Sequence, residues 1–198
     1  MRGEGVMLSE EDGQQALRLA RDAIEAYIRG GKRIDPDEYE LSRVFDEKRG
    51  VFVTIKKQGM LRGCIGFPYP VMRLKEAIVE AAISAASSDP RFPVLSPDEL
   101  EEIEIEVTIL TEPVKLDVKP RDRVKEVIVG KHGLIVRRGP YQGLLLPQVA
   151  VEWGWDAETF LEQTCLKAGL TPDMWLDEQT EVSVFEGQIF NEERDRSV

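Results

Sequence analysis

Apolar residues recur at helical spacing near the start of the chain. They are separated by three or four positions: Leu17, Ala20, Ile24, Tyr27 and Ile28. This spacing predicts a helix with one apolar face. Ser9 and Asp12 form a capping-box pattern, so we expect the helix to begin there and to end at Gly30-Gly31, since glycine accepts a left-handed end.

Strict alternation of apolar and polar residues predicts strands further along. Val51, Val53 and Ile55 alternate with other residues, and a turn at 57–59 leads into a returning strand over 61–67, so we expect a hairpin. Residues 103–109 alternate isoleucine or valine with acids or threonine, which predicts a strand with one apolar face. Its acidic face is typical of a solvated or edge-protecting surface.

The remaining segments complete an α+β pattern. We expect a helix over 72–87, a second hairpin with strands at 134–137 and 144–146 around a turn at 139–143, a short helix over 147–153, a helix from Asp156 to Gly169 and a last strand within 182–190. Residues 124–129 fit either a helix or a strand. Strands grouped in hairpins favour an α+β fold, with a mostly antiparallel sheet flanked by helices, over a doubly wound fold.

Composition narrows the class of protein. With 198 residues, 42% of them apolar and 32% charged, the chain predicts a globular body of one domain, or one body with a minor lobe. No run of eighteen apolar residues is present, so no membrane span is expected. The first thirteen residues lack the apolar stretch of a signal peptide, and we therefore expect a cytoplasmic protein.

The net charge argues against nucleic-acid binding by the whole molecule, but one basic segment could still bind an anionic partner. A net charge of −11 makes a whole-molecule nucleic-acid clamp improbable. From Lys115 to Arg138, however, eight basic residues stand against three acids. This segment could bind RNA or another anionic partner, or its charges could simply be scattered over the surface.

The asparagine content bears on whether the protein is adapted to high temperature. Asn191 is the only asparagine, although charged residues are plentiful. Depletion of this thermolabile amide favours a heat-adapted protein, which a melting temperature would test.

The candidate chemistry is concentrated in the hexapeptide Leu61-Arg62-Gly63-Cys64-Ile65-Gly66. The glycines could let a ligand approach the backbone, and the arginine could bind a carboxylate or phosphate and favour the reactive thiolate of Cys64. The alternative is that Cys64 is a small apolar residue filling a crowded position. For Cys165, on the inward face of a predicted helix, packing is the better interpretation.

Other catalytic groups are few. His132 is the only histidine, so any Cys–His nucleophilic pair must use it, although a solvated turn residue is the simpler interpretation. One histidine and two distant cysteines do not predict a metal site. Walker, dinucleotide-binding and hydrolase-elbow motifs are absent, and the sequence names no cofactor.

The hexapeptide resembles the hallmark of the AMMECR domain family. Other stretches agree with the resemblance: Asp89-Pro90-Arg91-Phe92 after an alanine-rich helix, Leu145-Leu146-Pro147-Gln148-Val149-Ala150, Trp155, Phe160-Leu161 and Cys165-Leu166-Lys167-Ala168-Gly169-Leu170. The likeness covers nearly the whole chain. It implies a single domain over residues 1–198, with an α+β fold of a larger and a smaller lobe and no established activity.

The resemblance also implies a site and partners. The hexapeptide is expected to line a cleft between the lobes, and Memo-type and radical-SAM proteins are candidate partners in a shared modification pathway that could act on RNA. We take Cys64 and His132 as candidate catalytic residues. The candidate ligand-binding residues are Arg62, Gly63, Gly66, Asp89 and Arg91. An enzyme or enzyme accessory is the first hypothesis, and a non-catalytic binding module for a protein or RNA is the alternative.

Overall fold

A computed structural model describes residues 7–192, which divide into two compact units. Residues 7–110 and 188–192 form the larger unit, and residues 111–187 form the smaller one. Each unit contains a four-stranded sheet with its own apolar core. Within the described residues, no helix combines the length and apolar character that a membrane crossing requires.

The larger unit begins with helix α1, Glu10–Gly30. The Ser9 side chain accepts a hydrogen bond from the Asp12 N–H while the Asp12 carboxylate accepts one from the Ser9 N–H, which confirms the predicted capping box. At the other end Gly31 adopts a φ of 63°, a left-handed conformation that glycine accepts at little cost. Residues 32–48 contain two short 3₁₀ turns, Pro36–Glu38 and Arg43–Asp46.

The sheet of the larger unit has the order β2-β1-β3-β8. Its strands are β1 (Val51–Lys57), β2 (Met60–Phe67), β3 (Ile103–Leu110) and β8 (Gly187–Asn191). Strands β1 and β2 form the predicted hairpin, and Gln58 and Gly59 both take positive φ in its two-residue turn. Strand β2 therefore lies at one edge of the sheet.

Helix α2, Leu74–Ser87, packs beside α1 on the apolar face of this sheet. The core alternates along the strands, with Val51, Val53 and Ile55 of β1 and Ile105 and Val107 of β3 all buried. A 3₁₀ turn at Pro97–Glu99 leads from the loop after α2 into β3. Strand β3 is central, so its acidic face does not protect an edge, and that part of the sequence interpretation was wrong.

The smaller unit holds a second sheet of order β4-β7-β5-β6. Its strands are β4 (Val114–Lys115), β5 (Gly133–Arg138), β6 (Tyr141–Leu145) and β7 (Glu181–Phe185). The helices are α3 (Arg123–Glu126), α4 (Pro147–Glu152) and α5 (Ala157–Lys167), and 3₁₀ turns occupy Pro120–Asp122 and Pro172–Leu176. Helix α5 packs on β6 and β5 over the buried side chains of Phe160 and Leu161.

The predicted α+β class with mostly antiparallel pairing is confirmed, although the strands divide between two sheets. Three local expectations were wrong. The last strand is in fact two, β7 and β8, which belong to different sheets. The turn of the second hairpin is only Gly139-Pro140, because Tyr141 already pairs with Arg138, and the two-residue strand β4 was not predicted.

Candidate functional site

The β1–β2 hairpin places Cys64 opposite Thr54. Counting back from the two-residue turn would put Thr54 opposite Gly63, but an irregularity between Ile55 and Lys56 inserts one extra residue in β2. Such a bulge shifts every later pair by one position and exchanges the two faces of the strand. Thr54 and Cys64 consequently share the face of the sheet that does not carry the Val53 and Ile55 core.

The Cys64 sulfur is half-buried and hydrogen-bonded. The Thr54 hydroxyl donates to Cys64 Sγ at an Oγ1–Sγ distance of 3.3 Å. On the neighbouring strand Glu106 stands opposite Thr54, and its carboxylate pairs with the Lys56 ammonium at 2.7 Å. A row of polar groups therefore crosses the sheet at the level of the thiol.

Two side chains from the loop after α2 hold the Cys64 backbone. The Cys64 N–H donates to Asp89 Oδ2 at 2.9 Å, and the Cys64 carbonyl accepts from Arg91 Nη2 at 3.3 Å. Arg91 also binds the Asp89 carboxylate through Nε at 3.0 Å and Nη2 at 2.7 Å. The structure thus brings three of the sequence-predicted residues, Cys64, Asp89 and Arg91, into contact.

The Asp89 side chain is only 2% exposed, yet it is charged. Hydrogen bonds from the Arg91 side chain hold the pKa of the Asp89 carboxyl well below its usual range, and the N–H groups of Cys64 and Arg91 lower it further against the opposing effect of burial. Asp89 is therefore a buried carboxylate with its charge balanced by one guanidinium, whose own side chain is 54% exposed.

Arg62 is engaged within the protein. Its Nε and Nη2 bind the two Glu99 oxygens at 3.0 Å each, and Nη1 donates to the Pro93 carbonyl at 2.9 Å. The Arg62 hydrogen bonds lower the pKa of Glu99 to about 2. Arg62 therefore braces β2 against the loop after α2.

The space beside the two glycines is filled by the protein itself. A Cβ at Gly63 would lie 2.2 Å from the Ala85 carbonyl oxygen of α2. At Gly66 it would lie 2.3 Å from the Phe52 ring and 2.5 Å from the Val51 carbonyl oxygen. Close packing therefore accounts for both glycines. A ligand could contact these two residues only through their backbone groups.

His132 belongs to the smaller unit, whereas Cys64 belongs to the larger one. The imidazole Nδ1 of His132 accepts a hydrogen bond from the Ile128 N–H at 3.1 Å, and the backbone N–H of His132 donates to the Ile128 carbonyl at 2.9 Å. Burial lowers the pKa of the imidazole. His132 therefore caps the turn before β5, and its catalytic role stays a prediction.

The second cysteine is fully buried. Cys165 of α5 has no exposed surface and lies in the core of the smaller unit beside Phe160 and Trp175. Burial raises the pKa of its thiol to about 11. Its environment agrees with the packing interpretation made from the sequence.

Most of the basic side chains from Lys115 to Arg138 have acidic partners. Five of the eight form ion pairs: Lys115 and Arg137 with Glu181, Lys125 with Asp122, Lys131 with Glu186, and Arg138 with Asp177. A sixth, Arg123, is buried and donates to the carbonyls of Trp175, Asp177 and Thr180. Five of the eight basic side chains are therefore paired with acids of the protein, and Arg123 is held by backbone carbonyls.

Two surface concavities have linings that do not include the hexapeptide. One, of about 630 Å³, is lined by Asp22 and Tyr39 of the larger unit among others. The other, of about 620 Å³, is lined by Arg138 and Tyr141 of the smaller unit among others. Within residues 7–192, histidine, cysteine and acidic side chains form no group of three that could hold a metal ion.

Two residues at the site were missed from the sequence. Thr54 could have been found only with knowledge of the bulge, because simple counting from the turn misplaces it by one residue. Glu99 was not singled out from the sequence, and its bond to Arg62 depends on how the loop after α2 folds back. No local pattern in the sequence signals that pairing.

The fold and the site together define a two-unit α+β protein with a half-buried, hydrogen-bonded cysteine in an edge strand. The sequence profile of the AMMECR1 family matches residues 17–190. The chain is 55% identical to protein Mbar_A1807 of Methanosarcina barkeri, over 94% of this chain and 93% of that protein. It is 54% identical to a protein of Methanothermobacter thermautotrophicus, over 94% of this chain and 97% of that one.

A solved structure agrees with these relatives. The crystal structure of uncharacterized protein PH0010 from Pyrococcus horikoshii is 49% identical to this chain, superimposes with a TM-score of 0.78 and covers 95% of both chains. The chain therefore belongs to the AMMECR1 family. The relatives carry no described activity in their names, so membership fixes the fold and leaves the function to be proposed.

Proposed function

We propose that the hexapeptide 61–66 is the functional segment of this protein and that Cys64 acts as a nucleophilic thiol, in an enzyme or an enzyme accessory. The carrying observation is the half-buried Cys64 sulfur, which accepts a hydrogen bond from Thr54. A donor to the sulfur favours the thiolate, the form of cysteine that attacks electrophiles.

The backbone contacts support the same proposal. A nucleophile needs a fixed position relative to its substrate, because small displacements lower the rate steeply. The N–H and carbonyl of Cys64 are both held by charged side chains, Asp89 and Arg91. The exposed part of the Arg91 guanidinium is available to bind an anionic or carbonyl group of a substrate near the sulfur.

The test is the rate of alkylation by iodoacetamide in the native protein. We expect Cys64 to be labelled at pH 7 at least as fast as N-acetylcysteine, with labelling located by peptide mass spectrometry. The matched control is Thr54→Val, which keeps the shape of the side chain but removes the hydroxyl and should slow the reaction. An unlabelled Cys64 in the folded protein would contradict the proposal.

A non-catalytic binding module is the second candidate, and the edge position of β2 favours it. Met60 and Leu61 are 66% and 42% exposed at the start of this edge strand. Because Asp89 and Arg91 occupy the edge at Cys64, only this first part of β2 could pair with an extended segment of a partner protein, and Memo-type and radical-SAM proteins are the predicted partners.

Two variants separate the candidates. In a binding assay with a Memo-type protein, Met60→Lys should abolish capture if β2 is a docking edge, and Cys64→Ser should leave it unchanged. Capture that depends on Cys64 and not on Met60 would favour the thiol proposal.

RNA binding through the segment from Lys115 to Arg138 is a separate prediction. Because neutralised phosphates release counterions, the affinity should fall steeply with salt. The ion pairs that basic residues of the segment form with acids inside and outside it argue for weak binding. An RNA affinity independent of salt would exclude this mode.

A further inference from the structure

The outer edge of β2 at Cys64 is closed by two side chains. In an antiparallel pair, residues alternate between turning their N–H and carbonyl toward the partner strand and turning both away from it. At Cys64 both groups meet the Asp89 carboxylate and the Arg91 guanidinium. Asp89 supplies the acceptor and Arg91 the donor that a neighbouring strand would have provided.

The hydrogen bonds of Asp89 are all made inside the protein. One oxygen accepts from the Cys64 N–H and Arg91 Nη2, and the other accepts from the Arg91 backbone N–H and Nε. The side chain is 2% exposed. Asp89 is therefore placed to act on Cys64 and not to touch a ligand, which differs from the ligand-binding role that the sequence suggested.

We propose that Asp89 is a positioning residue: it fixes the Cys64 backbone and holds Arg91 against the Cys64 carbonyl as part of a pair with no net charge. This inference rests on the proposed function, since it concerns how reactive the Cys64 thiol is. Arg91 alone would favour the thiolate, and Asp89 alone would oppose it. Two hydrogen bonds between their side chains hold the two opposite charges together next to Cys64.

The other charged groups around the thiol are also paired. On the same face of the sheet, Lys56 of β1 binds Glu106 of β3 at 2.7 Å. On β2 itself, Arg62 binds Glu99, which also receives Lys57 at 3.4 Å. Breaking the Asp89–Arg91 pair is therefore the change that unbalances the field at Cys64 most directly.

The experiment measures the pH profile of Cys64 alkylation in two variants of the full chain. Asp89→Asn keeps an acceptor for the Cys64 N–H but leaves the Arg91 charge unopposed, so the midpoint of the profile should move to lower pH by about 1 unit. Arg91→Gln leaves the carboxylate unopposed, so the midpoint should move to higher pH. At pH 7 a downward shift of this size increases the fraction of thiolate. It should raise the rate only about threefold, because a thiolate of lower pKa is also less nucleophilic.

A matched control removes one carboxylate from a distant Asp–Arg pair. Asp37→Asn breaks the bonds of Asp37 to Arg73 and Lys75, at the end of α2 opposite to the Ala85 turn that contacts Gly63. Ala85 lies twelve positions after Arg73 along the helix, which is about 18 Å. The net charge changes as in Asp89→Asn, yet the midpoint should not move.

Opposite shifts in the two variants support the proposal, and a double variant should return the midpoint to the wild-type value. Shifts in the same direction, or none, overturn it, since a purely structural role would loosen β2 equally in both. If circular dichroism shows that Asp89→Asn is unfolded, the comparison of Arg91→Gln with Arg91→Lys tests the proposal instead. The midpoint must rise in Arg91→Gln and return to the wild-type value in Arg91→Lys. No labelling of Cys64 in wild type overturns the proposed function itself.

Discussion

In both units an edge strand packs closely against a helix, but the cysteines of the two units lie in different environments. Each sets an edge strand against the end of a helix through a glycine: Gly63 of β2 against Ala85, and Gly143 of β6 against Ala168. In the larger unit the cysteine lies in the edge strand and is half-buried. In the smaller unit Cys165 lies in the helix and is sealed in the core.

The two cysteines differ in their surroundings and not in residue type, and the proposed reactivity of Cys64 depends on that difference. The Cys64 sulfur has a hydroxyl donor and an ion pair that holds its backbone. For Cys165, burial raises the thiol pKa to about 11, so the neutral form persists at physiological pH. The sequence already separated the two, because Cys165 falls on the inward face of a predicted helix and Cys64 lies between two glycines, but it did not show which groups contact each thiol.

The largest expected effect comes from substituting the glycine at which each edge strand packs against its helix. In Gly63→Ala the new methyl group would stand 2.2 Å from the Ala85 carbonyl oxygen, and in Gly143→Ala 2.4 Å from the Ala168 nitrogen. Both contacts are with backbone, which cannot move aside without shifting a helix. We expect each variant to lose about 3 kcal/mol in the free energy of unfolding.

Circular dichroism during denaturant unfolding would measure both losses. Tryptophan fluorescence adds a local probe, because all three tryptophans, Trp153, Trp155 and Trp175, lie in the smaller unit. Gly59→Ala is a useful comparison, since its methyl group would meet nothing within 4 Å and only its φ of 76° is strained. A Gly63→Ala variant as stable as wild type would contradict the close packing of β2 on α2.

A smaller effect sharpens the contrast between the cysteines. Cys165→Ser places a hydroxyl in an apolar core and should cost about 2 kcal/mol. Cys64→Ser should change the stability by less than about 0.5 kcal/mol, because a half-buried hydroxyl can still accept from Thr54. Tryptophan fluorescence would follow the unfolding of Cys165→Ser in urea, and circular dichroism would follow the unfolding of both variants. Equal losses would mean that the two environments do not differ as described.

The smallest effect concerns the brace on β2. Because the Arg62 hydrogen bonds lower the pKa of Glu99 to about 2, its stabilising contribution is present above the ordinary glutamate pKa and is lost as the pH falls toward 2. Glu99→Gln should therefore be less stable than wild type by about 1 kcal/mol at pH 6, allowing for solvent screening.

Urea unfolding between pH 6 and pH 2 checks this prediction. The gap between wild type and Glu99→Gln should narrow as the pH falls from 5 to 2. A gap that stays constant over that range would show that Glu99 does not titrate as a partner of Arg62.

Much of the fold could be predicted because it depends on local patterns. The capping box at Ser9, the alternation in β1 and β3 and the turn at Gln58-Gly59 are all readable from neighbouring residues. Strands β7 and β8 were merged because only Glu186 stands between them, and their separation depends on which sheet each one joins. The two-residue β4 is too short to produce a pattern.

The candidate site was predictable only in part. Its position at Cys64 followed from an unusual hexapeptide, but the roles of the two nearby arginines depend on long-range contacts. Arg62, the closer in sequence, binds Glu99, whereas Arg91, 27 residues away, reaches the Cys64 carbonyl. A bulge that no local rule predicts decides that Thr54 stands opposite the thiol.

The most direct test of the account compares the two thiols within one molecule. Native protein is treated with iodoacetamide at pH 7, and the labelled fractions of Cys64 and Cys165 are measured by mass spectrometry, then measured again in concentrated guanidinium chloride. We expect Cys64 to react at least about a hundredfold faster in the native state, because the Cys165 thiol is both sealed from solvent and protonated, and the ratio to approach one on unfolding. A native Cys64 that reacts no faster than Cys165 would contradict the account.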